Sequence, residues 1–187
     1  MRRLFIAGVV MASLAGCRGG NQDWLPLAKG NHWTYTVNAG LMSAVRDVKV
    51  GGQTPVGSEE GWVLAGPMGE SSLAWVDGQL VASRLAGTTY HPPLPICEPG
   101  SAEPRSWKGE LRQMDTVVPG TATLGMTQEK EDLAGRNLDV WVATLTIKVE
   151  GKTIETVTSY ANEIGIVRQE ERHDGVLIRK LRYVSGP

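Results

Sequence analysis

Along most of this chain, apolar and polar residues alternate at every second position, in short stretches punctuated by glycine. Trp33-Thr34-Tyr35-Thr36-Val37 alternates, and so does Trp141 to Val149, which places Trp141, Ala143, Leu145, Ile147 and Val149 on one face. Period two is the pattern of a strand with one buried face. The alternation resumes after Gly151-Lys152 through Ile154, Thr156, Thr158 and Tyr160. Read as a two-residue type II′ loop, Gly151-Lys152 pairs Val149 with Ile154 and Ile147 with Thr156, and sets Lys148 opposite Glu155. Asp77-Gly78 and Asp174-Gly175 separate further alternating runs, and Asp-Gly is a strong type I′ signal. The predicted fold is therefore all-β: a single domain, residues 24–187, with a curved antiparallel sheet, open-barrel or sandwich-like, built from hairpins. A helix over Ser72–Ala86 is the rival reading there, and the Asp-Gly in its middle opposes it. Thr127–Leu133 reads either as one helical turn or as a charged hairpin end.

Composition agrees with strands. The chain holds 23 glycines and 10 prolines among stretches rich in Val, Thr, Ile, Trp and Tyr. Five of those prolines fall in His91–Ser106. Proline donates nothing to a sheet ladder, so residues 91–106 are expected to form a loop within the domain rather than a central strand. A linker between two domains is the alternative for this segment.

The first seventeen residues, MRRLFIAGVVMASLAGC, follow another rule. Arg2 and Arg3 precede an apolar run, Leu4 to Leu14, that is shorter than the roughly 20 residues a membrane-spanning helix needs. The run ends in Leu14-Ala15-Gly16-Cys17, which resembles the lipobox of bacterial lipoproteins. That resemblance implies a signal peptide over residues 1–16, a diacylglyceryl group on the thiol of Cys17, and attachment to a membrane of the cell envelope. Residues 17–23 would then be the lipidated terminus and a short tether. Arg18 stands where an aspartate favours inner-membrane retention, which leans toward an outer membrane in a two-membrane cell, facing the periplasm or the exterior.

Charge and cysteine count narrow the partners. Removing residues 1–16 takes away two arginines and no acids, which leaves 17 Lys and Arg against 20 Asp and Glu. So mild and mixed a charge excludes nucleic acid as a natural partner. With Cys17 lipidated, Cys97 has no cysteine to pair with inside the chain, and PLPICEPG gives it no basic setting that would activate a thiol.

A second resemblance covers both ends of the mature domain. Pro26-Leu27-Ala28-Lys29-Gly30-Asn31-His32-Trp33-Thr34-Tyr35 is similar to the P-L-x-x-G-N/D-x-W-x-Y opening of a broad set of secreted bacterial β-proteins and lipoproteins. Ser159-Tyr160-Ala161-Asn162-Glu163-Ile164-Gly165-Ile166-Val167-Arg168 stands where that set carries W-Y-A-x-x-V-G-L-V-K, and Ala134-Gly135-Arg136-Asn137-Leu138-Asp139-Val140 where it turns into a long strand. Ser159 and Leu138 depart from the aromatics usual there. The resemblance implies a curved antiparallel fold outside the cytoplasm and no particular activity. Read from the residues alone, Trp33, Tyr35 and Tyr160 are inward-facing aromatics, with a role in the fold or in binding; Gly165 marks a bulge or a close backbone approach.

Chemistry is sparse. His32, His91 and His173 lie far apart without metal-ligand spacing, and no nucleophile elbow, phosphate loop or cofactor motif occurs. Neither a metal nor a cofactor is expected, and an enzyme is the least supported class. The expected function is a membrane-anchored, non-catalytic binding or structural module whose protein or lipid partner is not named by the sequence. The alternative is a carrier of a hydrophobic ligand on the concave face of the sheet, with tryptophans and Met42, Met68, Met114 and Met126 lining it.

Overall fold

Twelve antiparallel strands follow one another in the computed structural model, which describes residues 20–187. They are β1 (His32–Ala39), β2 (Met42–Val56), β3 (Glu59–Gly66), β4 (Gly69–Val76), β5 (Gln79–Leu85), β6 (Thr88–Cys97), β7 (Arg105–Gln113), β8 (Thr116–Leu133), β9 (Arg136–Val149), β10 (Lys152–Ala161), β11 (Gly165–His173) and β12 (Val176–Ser185). Each pairs with its neighbours in sequence, and β1 pairs with β12, with Val37 opposite Leu181. The single all-β domain is thus a closed barrel; the open edges of the expected sheet are joined. No described residue is α-helical, so Ser72–Ala86 is the β4–β5 hairpin and Thr127–Leu133 is the end of β8.

β7, the strand between β6 and β8, shows an apolar inner face and a charged outer one. On β7, Trp107 and Leu111 are buried while Lys108, Glu110 and Arg112 alternate with them on the outside. A membrane-spanning barrel has the reverse polarity, with an apolar outer band. The inside is largely filled. One cluster joins Leu73 and Leu80 of β4 and β5 to Leu145 and Ile147 of β9, so opposite walls touch as the two layers of a sandwich do. A round barrel of so many strands would enclose a wide lumen; here Trp33, Tyr35, Tyr90, Trp107 and Tyr160 occupy it.

The hairpins turn on two residues. Asp77-Gly78 and Asp174-Gly175 both take positive φ, which is the type I′ geometry that their sequence signals. The β9–β10 turn differs from the expectation by one residue. Glu150 (φ 50°) and Gly151 (φ 76°) form the loop, so Val149 lies opposite Lys152 and Ile147 opposite Ile154. Lys148 therefore faces Thr153, and Glu155 finds its cation on the other side, in Arg172 of β11 at 3.5 Å. The shift moves the pairing by two residues, so every side chain keeps its face.

Two boundaries also move. The proline-rich loop expected over residues 91–106 is partly strand: β6 continues to Cys97, with Leu94 opposite Ala82 and Pro95 opposite Val81 on β5. Its pairing with β7 stops at His91–Glu110, so beyond that point β6 is bonded on one side only, where proline is tolerated. The tether expected over residues 17–23 ends earlier, because Asn21–Trp24 forms a 3-10 turn. Asn21 Nδ2 donates to Gly78 O at 2.8 Å and to Pro99 O at 3.3 Å, and Glu163 N–H donates to Asp23 O at 2.7 Å. The chain thus enters on the barrel end formed by the β4–β5, β6–β7 and β10–β11 connections. The signal segment and the lipobox residues Leu14, Ala15, Gly16 and Cys17 lie outside the described residues.

Candidate functional site: an apolar cavity inside the barrel

Trp33 and Tyr35 sit two apart on β1 and therefore share its inner face. Tyr160 reaches the same interior from β10. All three are almost fully buried. The two ends of the domain meet here. Trp33 Nε1 donates to Ile164 O at 2.6 Å, and Tyr35 Oη donates to Ile166 O at 3.1 Å. Between those carbonyls, Gly165 has φ +93°, and a Cβ there would lie 3.0 Å from Trp33 Nε1 and 3.1 Å from Leu25 Cδ1. Only glycine fits both the backbone and the space. A bulge accompanies this approach, since Ser159 pairs with Arg168 but Tyr160 with Ile166.

These three aromatics line a cavity of about 90 Å³. Leu25, Leu64 and Leu145 extend its apolar wall, and it reaches the exposed β3–β4 turn at Pro67 and Gly69, beside Met68. Three of its polar side chains are bonded within the wall: Gln169 Nε2 donates to Thr158 Oγ1 at 3.0 Å, and the Tyr35 hydroxyl is bonded as above. Burial, and secondarily the nearby Tyr183, pushes the Tyr35 hydroxyl far above its usual range. The Tyr160 hydroxyl is raised in the same way by burial, then by Cys97 and Tyr35. Both stay neutral, so the cavity offers shape and apolar surface rather than charge.

Cys97 is fully buried beside this region, and burial followed by Glu98 pushes its thiol up, away from the reactive thiolate. Of the methionines considered as lining, Met68 reaches the cavity, Met126 packs against the core, and Met42 and Met114 are exposed. Leu25, Ile166 and Gln169 line it without having been singled out in the sequence. Leu25 precedes the strands, and Gln169 sits in a run of charged residues, so neither carried an alternation signal. Among the described residues no group of three or more His, Cys, Asp or Glu side chains is placed to hold a metal.

The last hairpin gathers its charges into a network. Glu170 on β11 receives Arg168 at 2.8 Å, Arg172 at 2.7 Å and Lys180 at 2.9 Å, while Glu171 holds Arg179 and His173. The bonds from Lys180 and Arg168 hold the Glu170 carboxyl down at about 2. Arg168 also reaches Glu131 of β8 at 3.9 Å.

The sequence matches no protein-family model and no curated protein. Solved structures do resemble the fold. A candidate lipoprotein of Parabacteroides distasonis superposes with a TM-score of 0.54 at 11% identity, over 88% of this chain and 98% of that one. A candidate exported protein of Bacteroides fragilis with a YmcC-like fold gives 0.47 at 15% identity, over 86% and 96%. The hypothetical lipoprotein YmcC of Escherichia coli gives 0.39 at 13% identity, over 85% and 88%.

Proposed function

We propose that this protein is a lipid-anchored, non-catalytic module of the bacterial cell envelope that takes an apolar group into its barrel. The anchor reading rests on the Leu14-Ala15-Gly16-Cys17 sequence and on the description of the Parabacteroides neighbour as a candidate lipoprotein. The observation that carries the binding reading is the cavity, which is apolar, internal and open to the surface at one turn. At about 90 Å³ it is smaller than the roughly 150 Å³ apolar cavity that binds benzene. It therefore suits the end of an acyl chain or a short branched alkyl group rather than a whole lipid.

Two measurements test the two halves separately. Cys17→Ser should release the protein from the membrane fraction; retention under high salt would place the anchor elsewhere. Native mass spectrometry of the protein extracted from its own membrane should show a bound apolar molecule beyond the N-terminal lipid. Ala143→Met, which narrows the cavity from β9, should lose that mass while circular dichroism stays unchanged. A wild-type protein that carries no such mass would refute the ligand.

A further inference from the structure

β2 is longer than the wall beside it. Its first half is bonded to β1 throughout, from Ala39 opposite Met42 to His32 opposite Lys49. Its ladder with β3 begins at Lys49–Ala65, and Gly66 still lies against Val48, so Met42–Asp47 has an open side. Which main-chain groups lie open follows from the strand's end. Gly30 N–H donates to Val50 O, and Val50 N–H donates to Asn31 O. Val50, and by alternation Val48, Arg46 and Ala44, thus point their main-chain groups toward β1, while Ser43, Val45 and Asp47 present theirs to the open side. The Val45 carbonyl accepts a bond from its own neighbour, Arg46 Nη1, at 3.0 Å, which fits that outward direction.

We propose that this open edge of β2 pairs antiparallel with the same edge of a second copy, across a two-fold axis at Val45. In such a seam, facing residues share a face of the sheet, so only registers with equal parity are allowed. Centred on Val45, the seam sets Ser43 opposite Asp47 and Ala44 opposite Arg46, and it ends there because Gly66 already lies against Val48. All three outward residues on each strand then exchange both main-chain bonds, about six in all. No like charges face each other, and Ser43 can donate to Asp47. Centring on Arg46 would face two guanidiniums and lose a third of the bonds; centring on Ala44 loses as many and opposes Met42 to Arg46. The length matches as well. The second copy's paired run ends at Ser43, beside Gly66, and its chain turns back at Gly40-Leu41, whereas a longer extended peptide would run on into the Gly66–Gly69 turn. Leu41, Met42 and Val45, exposed at 107%, 74% and 60%, would be covered or flanked by the seam. The antiparallel seam points the two chain-entry ends apart, so a pair anchored to one membrane lies along its surface.

The test uses the full-length protein in its own membrane. Val45→Cys places a thiol on the axis, and mild oxidation should give a covalent dimer; Met114→Cys, on an exposed turn away from the edge, should give little. In detergent, sedimentation should show that Val45→Lys weakens self-association by about tenfold or more, while the melting temperature is kept. Equal cross-linking of Val45→Cys and Met114→Cys, or unchanged association of Val45→Lys, would overturn the proposal. So would cross-linking of Val45→Cys to a different protein, since the occupant would then not be a second copy. Neither measurement reads the bound apolar mass, so the failure of one proposal leaves the other to its own test.

Discussion

Two hairpins of this barrel outrun their neighbours, and they leave different surfaces behind. β8 and β9 extend past β7, whose pairing ends at Arg105–Leu124, so the edge of Gly125–Leu133 is open. That edge reads Gln128, Glu129, Lys130, Glu131, Asp132 in its last turns. This arm also packs along its length: Leu133 and Leu138 near its tip join Val140, Val142, Ala161 and Val167 in a second apolar cluster, and Arg168 reaches Glu131. The β1–β2 arm has neither protection. Its open edge carries one cation and one acid, and its tip residues Leu41 and Met42 touch no cluster. Charge on an edge strand discourages pairing with other chains, and its absence permits it. One arm is closed to partners by its sequence, the other left available.

The largest expected effect is at the foot of the β1–β2 arm. Trp33→Ala removes a fully buried indole and its bond to Ile164 O, at a cost of about 3–5 kcal/mol. For a domain of this size that lowers the melting temperature by about 10 °C. Thermal unfolding that matches wild type would mean that the arm is held by something other than this contact.

Val140→Ala should come next, at about 2 kcal/mol, because it empties part of the cluster under the β8–β9 arm. Hydrogen exchange should then quicken at Glu129–Asp132 and stay slow at Trp33–Val37. Equal quickening at both places would show that the arms are not independent.

Acid should loosen the charge network of the last hairpin, between β11 and β12. The Glu170 carboxyl titrates at about 2 in the fold against an ordinary 4.5, so its contribution is fully present above about 4.5 and is lost as pH falls toward 2. Glu170→Gln should cost about 1–2 kcal/mol at neutral pH, since its cationic partners are partly exposed. Its melting temperature should also fall less steeply than that of wild type between pH 4.5 and 2. Parallel curves for the two proteins would remove Glu170 from the account.

The smallest effect belongs to the tip. Leu41→Ser, at a side chain in full contact with water, should change stability by less than about 0.5 kcal/mol. A larger loss would reveal packing on this arm that the monomer does not show.

Strand identity and facing were legible because period two survives small errors of register. The slip at Glu150-Gly151 shows the limit. Glu-Gly makes the same type I′ turn as Asp-Gly, but a glutamate at positive φ has no compositional signal; Ala86-Gly87 takes the same shape and went unmarked for the same reason, while Ala134-Gly135 was marked only by the family resemblance. Closure was not legible, because alternation is identical in open and closed sheets and the deciding pair, β1 with β12, lies at opposite ends of the chain. The proline rule failed at β6 because it applies to a strand bonded on both sides, and this one has a bare side after His91. Trp33, Tyr35, Tyr160 and Gly165 stood out as residues, while their convergence on one cavity depends on the long-range bonds to Ile164 and Ile166. The cavity's size and its mouth at Met68 follow from how far opposite walls approach, which no local pattern records.

The entry of the chain has a mechanical side. Residues 20–31 are fastened beneath the barrel through Asn21 and Asp23 and then feed into β1 along its axis. A pull on the N-terminus must first break those fastenings and then drag β1 lengthwise between β2 and β12. The bonds on both flanks of β1 would be loaded together, in shear, rather than peeled one at a time. A barrel tugged from this end should therefore resist forces that would unzip it readily if they were applied across the tip of a hairpin.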